Sequence, residues 1–380
     1  MKQTLGTLAI ALTAAAAAGA QEKLRVYVGT YSRDGSEGIY RTELDLASGT
    51  LSAPALAAKA VNPSFLSIHP SGKFLYAVGE TADFAGKKTG GVTAFAIDAK
   101  TGDLTALNQQ SSEGSGPCHL VVDGSGKNVL VANYGGGSVA CLPIGPDGKL
   151  APASAAIQHK GSGANPARQQ GPHAHSINLD AANRFAFAAD LGLDKVLIYR
   201  FNAAAGSLVP NDPPHASVAP GGGPRHFAFH PSGKFAFVNN EMLSTVTAFA
   251  YDADRGALKE LQTLSTLPAD FKGNNSTAET QCSPDGRWVF VSNRGHDSIA
   301  IFSVDAATGR IAAAGHAPAG GKTPRNFGVD PTGAYVVAAH QDSGTVSVLR
   351  IDAAAATLKP TGSTIRVARP VCVKFAPIRP

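Results

Sequence analysis

From Leu24 onward the chain alternates two kinds of apolar segment. The first is a pair of short runs, rich in β-branched and aromatic residues, joined by a Pro/Ser/Asp/Gly turn. It appears as FLSIHPSGKFLYAVGE, HLVVDGSGKNVLVANY, SINLDAANRFAFAADL, HFAFHPSGKFAFVNNE, ETQCSPDGRWVFVSNR and NFGVDPTGAYVVAAHQ. Alternating runs on either side of such a turn predict a β-hairpin. The second kind is a single run ending in an Asp or turn and then Gly-x-Leu. Its seven copies start at Glu37, Gly90, Gly136, Asp194, Ser244, Asp297 and Gly344, with spacings of 53, 46, 58, 50, 53 and 47 residues.

Only six copies of the hairpin are complete. The seventh is divided between CVKFAP at Cys372–Pro377 and LRVYVGTY at Leu24–Tyr31. Two hairpins per unit make a four-stranded sheet, and a repeat of about 51 residues matches one propeller blade. A blade shared between the termini closes the ring and removes the unpaired edges an open array would expose. The sequence therefore predicts an all-β, seven-bladed β-propeller. Abundant Gly (42) and Pro (24) with only 16% charged residues fit this turn-rich fold.

The first twenty residues fall outside the repeat. Lys2, the apolar Leu5–Ala18 stretch and Ala18-Gly19-Ala20 before Gln21 predict a cleaved signal peptide over 1–20, with the propeller over 21–380. A bacterial chain with this start is expected in the periplasm or secreted, and the mature part has no apolar stretch long enough to span a bilayer. A net charge of +5 without a basic run argues against nucleic acid but allows small anionic partners. Cys118, Cys141, Cys282 and Cys372 form no C-x-x-C pair and are expected as thiols, mostly buried.

Counting back from each hairpin turn aligns Arg225 with Ser64, Cys118, His175, Ala278, Arg325 and, in the divided blade, Val371. Counting forward aligns Glu241 with Glu80, Tyr134, Leu191, Arg294, Gln341 and Tyr31. Both positions lie at the open end of the hairpin, where antiparallel partners are neighbours. If the first run of each hairpin is the innermost strand, these residues crowd one mouth of the central channel. His69 and His230, in the HPSG turns, belong to the opposite face with structural roles.

Several guanidiniums around one cavity suit a small anion, because the planar fork binds carboxylate and phosphate in bidentate fashion. A carboxylate or imidazole beside them can take a proton from water, and an Arg can stabilise the oxyanion formed at an ester carbonyl. No G-x-S-x-G elbow is present. His173 and His175 form an H-x-H pair without a third ligand, so neither metal nor other cofactor is expected.

The segments YVGTYS, GPCHLVVD, ANYGGGSV, PHAHS, AADLGLDKV, GPRHFAFHPSGKFAFVNNE, SPDGRWVFVSNRGHDSIAIFSVD and TPRNFGVDP together make the chain resemble the seven-bladed propeller lactonases. That family includes one type of 6-phosphogluconolactonase and a fungal carboxy-cis,cis-muconate cyclase. The cyclase's catalytic set of one His, two Arg and one Glu corresponds, by this resemblance, to His175, Arg225, Glu241 and Arg294. His173, His226, Arg325, Glu80, Asn240 and Asn293 are the expected substrate-binding residues. The chain departs from the family pattern at Thr280-Gln281, where Ile-His or Ile-Arg is common. The expected function is metal-independent hydrolysis of a sugar-derived or acidic lactone, with Glu241 or His175 as base. The alternatives are a non-catalytic periplasmic propeller that binds an acidic ligand or an envelope partner, and a muconate-type lactone cyclase.

Overall fold

The computed structural model describes residues 22–378. The predicted signal peptide at 1–20 lies outside them. The described chain forms seven antiparallel sheets arranged as a propeller, and it contains no helix. Six sheets have four strands each, running outward from the axis in chain order. In one of them, for instance, the strands are Pro224–Phe229, Phe235–Asn240, Thr245–Asp252 and Ala257–Ser265.

The remaining blade closes the ring as the divided repeat requires. Its inner strand is Pro370–Pro377, which pairs with Lys23–Thr30 from the other end of the chain. Val26 lies opposite Phe375 and Val28 opposite Val373. Gly38–Asp45 follows as the third strand. The seven inner strands touch one another in an unbroken circle, so every sheet packs a face against two neighbours. Alternating side chains fill those interfaces. Tyr27, Tyr76, Phe95, Phe187, Phe237, Phe249, Phe290, Phe302 and Phe327 are fully buried between blades.

The turn face is stitched from blade to blade. His69 Nε2 pairs with the Gly126 carbonyl and His230 Nε2 with the Gly286 carbonyl, each at 2.9 Å, while each Nδ1 meets a Ser hydroxyl in its own turn. These histidines are structural, as the register implied. All four cysteines are free thiols; three are buried and Cys282 is half-buried.

A recurring irregularity decides what faces the axis. Six inner strands carry a β-bulge at one equivalent position. The pairing skips Val371, Cys118, His175, the pair Arg225 and His226, the pair Ala278 and Glu279, and Arg325. A bulge re-aims side chains that strict alternation would hold on opposite faces. Cys118, His175 and Arg325 thus line a cavity at one mouth, whereas His119, His226 and Glu279 line a second cavity nearer the turn face.

Candidate active site

At the mouth away from the turns lies a cavity of about 280 Å³, lined by Glu80, Cys118, Tyr134, Arg168, His175, Glu241, Arg294 and Arg325. Arg225 sits beneath it. Its Nε donates to Glu241 Oε2 at 3.0 Å, and its Nη1 donates to the Ala278 carbonyl of the next blade. Glu241 is the hub. Its Oε2 also receives Arg294 Nη2 at 2.9 Å, and its Oε1 receives Arg168 Nη2 at 2.9 Å. Burial works against its charge, yet Arg294, Arg225 and Arg168 together hold its carboxyl down to about 2.

The other groups are arranged around this hub. Glu80 accepts from the Tyr31 hydroxyl and from Ser64 Oγ. Tyr31 in turn accepts from Arg325 Nη2 at 3.0 Å and lies under that guanidinium, 5.5 Å from ring centre to Cζ. Arg294 spends one nitrogen on the Thr277 carbonyl, whereas its buried Nε finds no partner among the described residues. His175 is buried, with the Cys118 thiol 3.7 Å from its Nδ1. Desolvation, reinforced by Arg225, His226 and Arg325, pushes its pKa well below the usual histidine value, so the ring is neutral at pH 7.

The structure thus brings His175, Arg225, Glu241, Arg294, Glu80 and Arg325 together. Four other expected residues are placed differently. His173 stands just outside, its Nδ1 bonded to the Tyr134 carbonyl and its ring stacked on Tyr134 at 4.6 Å. Asn240 and Asn293 each precede a cavity residue by one, so alternation turns them to the other face of the strand. Asn240 Nδ2 donates to Thr245 and Thr247, and Asn293 donates to the Thr266 carbonyl and Ser298. His226 follows Arg225 in the bulge and faces the turn-side half of the channel.

Arg168 was missed by register because it belongs to no repeated strand. It comes from the loop between the strands Ala155–Gln158 and Ala174–Leu179, where the 58-residue spacing already marks an insertion. Buried Gln169 anchors that loop by donating to the Leu191 carbonyl and Asp194, and by accepting from the Asn165 amide. The Arg168 guanidinium is left bridging Glu241 and the Tyr134 hydroxyl.

Comparison with known proteins agrees with this architecture over nearly the whole chain. The family model described as "Lactonase, 7-bladed beta-propeller" matches residues 25–375. A 6-phosphogluconolactonase of Bacillus subtilis is 40% identical over 349 residues, 92% of this chain and 97% of the relative. A 6-phosphogluconolactonase of Formosa agariphila is 33% identical, covering 86% of this chain and 92% of that one. The solved structure of a periplasmic gluconolactonase from Pseudomonas aeruginosa superposes with a TM-score of 0.88 at 33% identity, covering 94% of this chain and all of that one. The chain belongs to the seven-bladed β-propeller lactonase family.

Proposed function

We propose that the protein hydrolyses a sugar-derived δ-lactone bearing an anionic group, and that the reaction takes place in the channel-mouth cavity. The observation that carries this reading is the charge balance around a neutral base. Arg168, Arg225, Arg294 and Arg325 oppose Glu80 and Glu241, and 4 − 2 leaves two positive charges. A phosphate monoester carries about −1.5 to −2 at pH 7 and would neutralise that surplus. A cavity of about 280 Å³ also suits a compact substrate rather than a drug-sized one, which needs roughly 300–1,000 Å³.

The residues divide the chemistry as follows. Neutral His175 takes a proton from water as the oxygen attacks the lactone carbonyl. The Arg294 guanidinium, which lines the cavity, stabilises the developing oxyanion. When the tetrahedral intermediate collapses, the ring C–O bond breaks. The departing alkoxide takes the proton back from His175, giving a hydroxy acid. Glu241 is unsuited to be the base. Both of its oxygens are occupied by guanidiniums and its proton affinity is low. It holds the arginines in position. Arg325 and Arg168, which line the same cavity, meet the substrate's anionic group.

The relatives' names supply a common ring, since 6-phosphogluconolactone and gluconolactone share the glucono-δ-lactone core. The N-terminal apolar segment and the periplasmic neighbour together favour work outside the cytoplasm, where an unphosphorylated lactone is also a candidate. A pH-stat assay with glucono-δ-lactone and its 6-phosphate tests the proposal. Both should open faster than spontaneously, with higher kcat/KM for the phosphate. Arg294→Ala should lower kcat by about 10²–10³-fold, the usual cost of losing one oxyanion donor. No acceleration over the spontaneous rate would leave a binding propeller instead.

A further inference from the structure

The channel has a second cavity on the turn face, of about 270 Å³. It is bordered by Phe65, His119, His226, Glu279, Thr280 and Lys374, with Phe227 and Phe229 at its edge. Its core residues are the second members of the bulge pairs: His119 after Cys118, His226 after Arg225, Glu279 after Ala278. Their rings meet on the axis. Phe65 and His119 lie 4.1 Å apart, and His119 and His226 lie 5.3 Å apart.

Three polar groups here have unused capacity. Lys374 makes no ion pair among the described residues; its ammonium lies 4.4 Å from the centre of the Phe65 ring. Thr280 is 1% exposed, and its hydroxyl has no hydrogen-bond partner among the described residues. His119 Nδ1 accepts the Ile177 amide at 3.3 Å, so its neutral ring carries its proton on Nε2. A buried hydroxyl without a protein partner is costly unless water or a ligand meets it, and the half-buried ammonium is free to take an anion.

We propose that this basin is a second ligand site, built for a small organic monocarboxylate. One ammonium and one imidazole N–H suit a single carboxylate, while Phe65, Phe227 and Phe229 offer apolar surface to the carbon skeleton. A cation is repelled by Lys374, a neutral polyol leaves the ammonium unpaired, and a phosphate dianion brings more charge than one lysine offsets. The inference does not depend on the reaction assigned to the mouth.

Glu279 couples the site to pH. Its Oε2 meets His226 Nδ1 at 3.0 Å and Asn326 Nδ2, and its Oε1 accepts the Thr280 amide at 2.9 Å. Burial raises its pKa to about 7 against the opposing pull of Lys374 and Arg225. The titratable and charged groups facing it are Arg225 and His226 on one side and Cys372 and Lys374 on the other, with His119 across the axis. An anion in the basin favours protonated Glu279, so affinity should rise as pH falls from 8 to 6 and binding should take up a proton.

The test is calorimetric titration with sodium benzoate and, separately, sodium gluconate. Wild type, Lys374→Gln and Arg294→Ala are compared at pH 6 and 8 in buffers of different ionisation enthalpy. Binding that Lys374→Gln weakens about tenfold or more while Arg294→Ala retains it supports the basin, since a hydrogen bond to a charged group contributes at least that much. The arm that binds more tightly tells an aromatic acid from the sugar acid a lactone yields. Lactone hydrolysis by Lys374→Gln should be unchanged, which keeps this result separate from the active-site assignment. No binding of either probe, binding unaffected by Lys374→Gln, or binding abolished by Arg294→Ala would overturn the proposal.

Discussion

The two ends of the channel hold buried glutamates in opposite states, although one repeated bulge helps to shape both ends. Glu241, at the mouth, is surrounded by three guanidiniums and ionises at about 2. Glu279, at the turn face, has an imidazole, an amide side chain and a backbone N–H for partners, and holds its proton up to about 7. Desolvation is the largest single influence on each and pushes both upward. What differs is whether neighbouring cations outweigh it. The mouth is therefore a fixed ionic lattice with spare positive charge. The basin carries the Lys374 charge, which Glu279 offsets only as pH rises through about 7.

The largest effect should come from breaking the lattice. Glu241→Gln leaves Arg225, buried between blades, and Arg294, mostly buried, without a counter-charge. Removing one partner of a buried ion pair costs about 3–5 kcal/mol; Arg168, half in solvent, should add little. The drop should be read from the urea midpoint at pH 7, where an unchanged midpoint would mean that the arginines relax into solvent. The sign with pH follows from the depressed pKa. Glu241 contributes its stability in full above its unfolded value of 4.5 and loses it as pH falls toward 2, so the gap between wild type and variant should widen from pH 2 to pH 5.

Glu279→Gln should cost less and slope the other way. Asn326 Oδ1 is fixed by the Val373 amide, so Asn326 must keep presenting its NH₂ to this site. A protonated acid can donate to His226 while accepting from Asn326 and the Thr280 amide. An amide in its place sets two donors face to face on one side or the other. The penalty is about 1–3 kcal/mol, the cost of one buried unsatisfied group. Because the folded pKa is raised, the stability Glu279 contributes is complete below 4.5 and lost as pH rises through about 7. The wild-type advantage should thus narrow between pH 5 and pH 8. Parallel slopes for the two variants would dissolve the contrast between the channel ends.

The fold was legible because each blade repeats the same two alternating runs, and because the divided hairpin at Leu24–Tyr31 and Cys372–Pro377 left one way to close the ring. The mouth was legible for the same reason: counting from a turn of fixed length lands on His175, Arg225 and Arg325. Two things escaped. The basin residues His119 and Glu279 follow mouth positions immediately, and alternation assigns such neighbours to opposite faces; only the bulge brings both inward. For the same reason His226 was counted with the mouth. Arg168 lay in a loop without a repeat to count along. Asn240 and Asn293 erred in the other direction, since adjacency to Glu241 and Arg294 suggested a shared site where no bulge exists to create one. The departure at Thr280-Gln281 has separable meanings. Gln281 clamps the next blade through the Phe327 carbonyl and the Val329 amide, while Thr280 borders the basin.

Thr280 allows the finest comparison. Its hydroxyl is buried and has no partner among the described residues, so Thr280→Val keeps the shape and the β-branched preference of the strand while removing a group that gains nothing from its neighbours. Without ligand, the variant should match wild type within about 0.5 kcal/mol or exceed it, as substitutions that remove no favourable contact do. The urea midpoint at pH 7 measures this. A loss above about 1 kcal/mol would show that the hydroxyl is satisfied in solution by an ordered water, which needs two to four polar partners. Lys374 and Asn178 also line the basin and could supply such partners. In that event the turn-side cavity is a hydrated plug for the propeller axis, and the difference between the two glutamates is one of structure alone.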